Sequence, residues 1–294
     1  MNVKTNFIKI IFIGIVLVQL ASCYNKEKSE GNIFHYNEFN GISSLDPAFA
    51  KSQSTMWAAH QFYNTLVEID DSLHIIPSLA KSWDISADRT IFTFHLRDDV
   101  FFHDDVAFPE GKGRKLTAYD VEYSLSRIID KETASPGSWI FNRKVHSIRP
   151  FKAIDDTTFQ LKLLRPYLPI LGIISMQYCS IVAKEAVEKY GINFRRHPVG
   201  TGPFRFITWE EGQALIMKKN PTYFEKDSVG NRLPYLDGVN ISFYDSKATE
   251  FVFIILFIIV LTIISSLISS LNRQFNILAF IQRFFTIIEN EFTA

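Results

Sequence analysis

Residues 77–127 constrain the fold more than any other part of this 294-residue chain. Phe92, Phe94 and Leu96 alternate there with Thr93, His95 and Arg97. Successive side chains on a strand point to opposite faces, so this spacing predicts a half-buried strand with an aromatic face on a core. Asp98 and Asp99 supply a turn, and Val100 to Phe102 reads as a returning strand, which together predict a hairpin. Thr117 then stands at a helix N-cap, with Asp120 at the third helical position. The Thr hydroxyl can accept an orphan backbone N–H, and the carboxylate suits the positive end of the helix dipole. Val121, Leu125, Ile128 and Ile129 fall on one face of that helix. Trp83 follows a short apolar run and is expected in the same core.

Other elements follow the same logic. Ile33 to Tyr36 reads as a first strand. Ser54 to Leu66 reads as a helix with Ala58, Phe62 and Leu66 on one face. Asp70-Asp71 and Asp155-Asp156 are turn signals, the second leading into the alternating strand Thr158 to Leu163. Ser180 to Tyr190 reads as a helix stopped at Gly191. Val106 to Lys115 reads as a surface loop. Its Gly111 and Gly113 lack the spacing of a phosphate-binding loop. Strands and helices mix without strict βαβ alternation, which favours an α/β or α+β lobe.

Several short stretches follow one another along the chain, with no internal repeat. Leu45-Asp46-Pro47 comes first. Pro77 to Trp83, Thr90 to Arg97, Val100 to Asp104 and Leu116 to Arg127 follow. Then come Val199-Gly-Thr-Gly-Pro-Phe204, whose glycines permit positive φ, and Asn220-Pro221 with Tyr223-Phe224. Leu233 to Asp237 and Asn240 to Phe243 close the series. This order resembles the family-5 extracellular solute-binding proteins, the peptide- and nickel-capturing partners of ABC importers. The resemblance covers about residues 33–250. It departs from the family at Asp105, which takes the place of a usual Gly, and in the 106–115 insertion.

The resemblance implies a lobe of the periplasmic-binding-protein type II kind, a non-enzymatic clamp that closes on a peptide or similar solute and docks on a permease. By position, Lys51, Ser52 and Gln53 are the ligand-binding segment of this lobe; the alternative is a plain surface entry to the helix. In related peptide binders the solute backbone is held as an added strand. The family's second lobe has no counterpart among these residues, so the chain is expected to be a truncated N-terminal lobe, marginally stable and a poor binder. Alternatives are a nickel or haem binder of the same family, or a membrane-anchored interaction lipoprotein.

The N-terminus carries an address. Lys4 and Lys9 flank the start of an apolar run, Ile10 to Leu20, of signal-peptide length. It ends in Leu20-Ala-Ser-Cys23, which resembles a bacterial lipobox, so residues 1–22 are expected to be a lipoprotein signal peptide and Cys23 the lipidated residue. Residues 23–32 then read as a polar tether and 33–250 as the solute-binding lobe. The product is expected to be exported and lipid-anchored, facing the periplasm or cell exterior. Cys179 is the only other cysteine, so no intrachain disulfide is expected, and its apolar neighbourhood predicts a buried, inert thiol.

Composition breaks at Phe251. Residues 251–271 carry no charge, and 16 of the 21 are Phe, Val, Ile or Leu. Such a run favours bilayer insertion by roughly 5–10 kcal/mol and is long enough to span. The 251–294 tail therefore reads either as a hydrophobic transmembrane helix or as out-of-frame sequence joined near Glu250.

Catalytic chemistry has little support. Lys plus Arg and Asp plus Glu both number 31, so no electrostatic case for nucleic acid exists. The seven histidines show no metal-ligand spacing. His103 beside Asp104 and Asp105 reads as a solvated turn rather than a metal site. No nucleophile elbow is present, so no catalytic residue, metal or cofactor is assigned.

Overall fold

The computed structural model describes residues 31–243, 252 and 255–264. Among the described residues, three sheets and four α-helices carry the fold of residues 31–243. β1 (Ile33–Asn37) pairs in parallel with β10 (Gly238–Ser242), which joins the two ends of the described lobe in one sheet. That sheet has the order β1-β10-β9-β8, with β8 at Phe204–Glu210 and β9 at Ala214–Lys219. β2 (Val67–Ile69) and β3 (Ile75–Pro77) form a two-stranded ribbon. The third sheet is antiparallel, in the order β4 (Ala80–Ile85), β5 (Ile91–Leu96), β7 (Thr158–Lys162) and β6 (Phe151–Ala153).

β5 matches the predicted alternation: Phe92, Phe94 and Leu96 are buried while Thr93 and His95 are half-exposed. Its partners differ from the expected hairpin. Val100 to Phe102 forms no strand with β5; Phe101 makes only an isolated bridge to Lys115, and β5 pairs instead with β4 and β7. Trp83 sits within β4, half-buried against Phe94 at 6.4 Å between ring centroids, at the border of the core rather than inside it.

The helices are α1 (Gln53–Phe62), α2 (Ala118–Ile129), α3 (Ile170–Ile174) and α4 (Lys184–Tyr190). α2 starts as the sequence predicts. The Thr117 N–H donates to the Asp120 carboxylate at 2.8 Å, reaching back across the first turn. Val121, Leu125 and Ile128 are buried, but Ile129 is exposed. Residue 114 ties this helix down: Arg114 forks onto Asp120 at 2.8 and 2.6 Å and onto Glu185 of α4 at 2.6 and 2.9 Å. The 106–115 insertion is thus anchored rather than a free surface loop, and its Phe108 is buried against Phe102. α4 ends at Gly191 with φ +51, as expected.

α1 stops at Phe62, four residues before Leu66, because tertiary contacts take over its last turn. The Phe62 carbonyl accepts from the Gly202 N–H at 2.8 Å. A Cβ on Gly202 would lie 2.5 Å from the Phe62 carbonyl carbon, and one on Gly200 would lie 2.2 Å from the Phe62 oxygen. The glycines of the 199–204 turn are therefore required by close backbone approach; neither has a positive φ.

Residues 255–264 are helical, with Leu256, Phe257 and Ile263 exposed. Among the described residues no helix is long and apolar enough to cross a membrane. The rest of the expected 251–271 span, the signal peptide and Cys23 lie outside the described residues.

Candidate functional site

α1 presents a polar and aromatic stripe. Gln53, Trp57 and His60 are exposed and Gln61 half-exposed, at the i, i+4, i+7 and i+8 spacing of one helix face. Two cavities adjoin along this stripe, with Phe204 and Leu236 lining both. The first, about 290 Å³, is apolar and lies between Trp57 and the β1–β10 edge at Phe34, Val239 and Ile241. The second, about 370 Å³, is lined by His60, Asn64, Glu68, Tyr223, Glu225 and Tyr235. Together they make a trough that begins apolar and ends acidic.

The acidic end rests on a buried polar network. Thr201 donates to Asn64 Oδ1 at 2.9 Å, and Asn64 Nδ2 donates to the Tyr223 hydroxyl at 3.1 Å. Burial, then the neighbouring Glu225 charge, push the Tyr223 phenol well above its usual range. Glu225 is itself raised, first by burial and then by the charge of Glu68. Ser78 Oγ donates to Glu68 Oε1 at 2.7 Å and orients that carboxylate.

The predicted segment lies at the N-terminal end of α1. Ser52 has extended backbone, φ −112 and ψ 155, and its hydroxyl is engaged with the helix: Oγ accepts from the Thr55 N–H at 3.3 Å and donates to Thr55 Oγ1 at 2.9 Å. Ser52 is thus an N-cap, and its side chain is committed to α1. Gln53 is exposed as the first helical residue. Lys51 lies on the rim of a separate open groove of about 1190 Å³. At the base of that groove Arg127 forks onto Asp46 at 3.2 and 2.8 Å. Burial alone would lower the Arg127 guanidinium, but the Asp46 hydrogen bonds and charge outweigh it and leave it raised. Lys51, Ser52 and Gln53 thus lie together at the N-terminal end of α1; Lys51 lines the separate groove, and none of the three lines either cavity of the trough.

Sequence reasoning missed Trp57, Glu68, Tyr223 and Glu225. The Gln53–Trp57 spacing was readable as one helix face; the meeting of Glu68 with Glu225 depends on long-range folding and left no local signal.

His103 is a correction. It is 4% exposed, not solvated, and its Nε2 lies 2.9 Å from the Gly202 carbonyl oxygen. Its neighbours serve other partners: Asp104 accepts from the Gly113 N–H at 3.0 Å, and Asp105 accepts from the Tyr190 hydroxyl at 2.9 Å. Among the described residues no group of three or more His, Cys, Asp or Glu could hold a metal ion. Cys179 is buried, as expected, and burial pushes its thiol far up, which keeps it protonated and unreactive.

The profile of the bacterial extracellular solute-binding proteins, family 5 Middle, matches residues 74–252, more than half of the chain. The chain belongs to this family. The glutathione-binding protein GsiB of Shigella dysenteriae serotype 1 is 28% identical over 231 residues, which cover 78% of this chain and 41% of that relative. Among solved structures, the periplasmic binding protein DppA of Helicobacter pylori, in complex with the peptide STSA, is 30% identical with a TM-score of 0.65. The match covers 76% of this chain and 44% of DppA. MoaA of A. tumefaciens R10, in complex with mannopinic acid, is 27% identical with a TM-score of 0.64, covering 74% and 42% of the two chains. The chain thus spans about two-fifths of the length of its curated relatives. The likeness to DppA and MoaA places its mixed α/β fold with the type II periplasmic binding proteins.

Proposed function

We propose that this chain supplies one wall of the solute cleft of an ABC-importer binding lipoprotein that captures short peptides and delivers them to permease subunits. The observation that carries this reading is the trough along α1, in a fold shared with a relative solved with a peptide. Lys51, Ser52 and Gln53 contribute main-chain groups rather than side chains, since the Ser52 hydroxyl is occupied with capping. Main-chain pairing with an extended solute gives affinity with little side-chain selectivity. A second, facing lobe completes the grip, so the wall alone binds weakly. Acylation at Cys23 holds the lobe on the membrane outside the cytoplasm.

The test is a titration of the full chain, in detergent, with tripeptides. Weak, saturable binding that perturbs the amide resonances of residues 51–53 is expected. Tight nanomolar binding by this chain alone would refute the one-wall reading. An absence of any perturbation at residues 51–53 or along α1 would refute the peptide reading. Retention of the membrane fraction after Cys23→Ser and removal of residues 251–294 would refute the acyl anchor.

A further inference from the structure

We infer that the far end of the α1 trough is a subsite for a basic group, an ammonium or guanidinium carried by the captured solute. This rests on the solute-binding reading above and adds to it the charge class of the solute. Glu68 of β2 and Glu225 of the segment between β9 and β10 both line the 370 Å³ cavity. Among the described residues, neither carboxylate has a Lys or Arg ion-pair partner. The cation whose charge reaches Glu225, Arg97, is already committed elsewhere. It forks onto Asp99 at 2.9 and 2.8 Å, and its guanidinium lies 4.9 Å over the Phe224 ring. Arg232, on the same segment, donates to the Tyr223 carbonyl oxygen at 2.8 Å.

Two part-buried carboxylates close enough to sense each other, neither in an ion pair, leave a negative potential that Arg97 offsets only from a distance. Burial and then the Glu68 charge both raise Glu225, so the second carboxylate adds to what burial already does. An incoming cation removes that repulsion and supplies N–H donors to both carboxylates, bonds that are stronger than neutral ones. The remaining walls suit such a group. The Tyr223 and Tyr235 rings offer faces that attract cations, and the Tyr235 hydroxyl is tied to Asp227, which fixes its ring. A bare metal ion is less well served, because Asn64 Oδ1 is already used by Thr201 and only two carboxylates remain. The cavity volume lies within the range typical of small-molecule sites.

The probes are trilysine, trialanine and triglutamate, titrated into the full chain in detergent and read by the amide and tyrosine-ring resonances of Glu68, Tyr223, Glu225 and Tyr235. Wild type is expected to prefer trilysine over trialanine by about tenfold or more. The Glu68→Gln, Glu225→Gln double variant is expected to lose that preference. Raising salt on the wild-type protein should weaken trilysine and leave trialanine unchanged, a readout independent of whether the variants fold. Equal affinity for trilysine and trialanine, a preference for triglutamate, or a preference that survives in the double variant would overturn the inference. If tripeptides bind at residues 51–53 and Trp57 with no charge preference, only this inference fails. If none perturbs any residue of the trough, the solute-binding reading fails with it.

Discussion

Acidification is expected to loosen the lobe through one buried imidazole. His103 holds the 200–202 turn twice: its N–H donates to the Gly200 carbonyl at 2.7 Å, and Nε2 meets the Gly202 carbonyl at 2.9 Å. Since Nε2 faces a carbonyl, it carries the proton, and Nδ1 is the bare nitrogen; it has no partner among the described residues. Burial pushes the ring down from 6.5 to about 4, against the pull of the Gly202 carbonyl. The folded value thus lies below the unfolded one, so the unfolded chain binds more protons between pH 6.5 and 4. Stability from this group is complete above pH 6.5 and is lost as pH falls toward 4. At about 1.4 kcal/mol per pKa unit the loss is about 3 kcal/mol. The perturbation is His103→Gln, whose amide can still donate to Gly202 but does not titrate. Urea unfolding of the full chain in detergent should show wild type losing about 3 kcal/mol more than the variant between pH 6.5 and 4. Titrating carboxylates affect both proteins alike, so the difference isolates the imidazole. Parallel pH profiles for the two would refute the reasoning.

Other perturbations test the fold around the trough. Gly202→Ala forces a Cβ to 2.5 Å from the Phe62 carbonyl carbon, a backbone atom that cannot swing aside, and should cost about 3 kcal/mol or abolish folding in chemical denaturation. Gly172→Ala, in α3 with open space at its Cβ, should instead stabilise by up to about 1 kcal/mol in the same assay. Arg127→Met removes the partner of Asp46, whose side chain is 6% exposed, and should destabilise by about 3–5 kcal/mol; the Asp46→Asn, Arg127→Met pair should recover part of that in a double-mutant cycle. Thiol-reactive reagents should fail to label Cys179 at pH 7 and succeed in urea, as judged by mass.

The parts of the fold readable in sequence were those decided within one turn or one strand. The β5 alternation, the Thr117–Asp120 start of α2 and the Gly191 stop of α4 each depend on a neighbour a few residues away, and each is found. What was misread depends on distant residues. Val100 to Phe102 has strand-like side chains, yet the place beside β5 is taken by β4 and β7, and pairing is settled by the whole sheet. α1 looked longer because nothing in residues 62–66 signals an end; the end is imposed by Gly202 donating to Phe62. The same turn explains His103. A histidine beside two aspartates has the local look of a solvated loop, but the backbone of residues 200–202 closes over it.

The candidate site follows the same division. Lys51 to Gln53 was proposed from an ordered series of short stretches, whereas the acidic pair of the trough gave no such signal. Glu68 and Glu225 look like ordinary surface acids on their own segments, and only the folded lobe puts both against one cavity. This matters for how the trough would select a solute. On the proposed reading, residues 51–53 offer backbone, which any extended chain can use, and the Glu68–Glu225 cavity offers charge, which only some can match. A wall built this way sets affinity by position along the solute main chain and sets preference by the group that reaches Glu225. Swapping the acidic pair for glutamine should therefore change which tripeptides bind without moving where their backbones lie against residues 51–53.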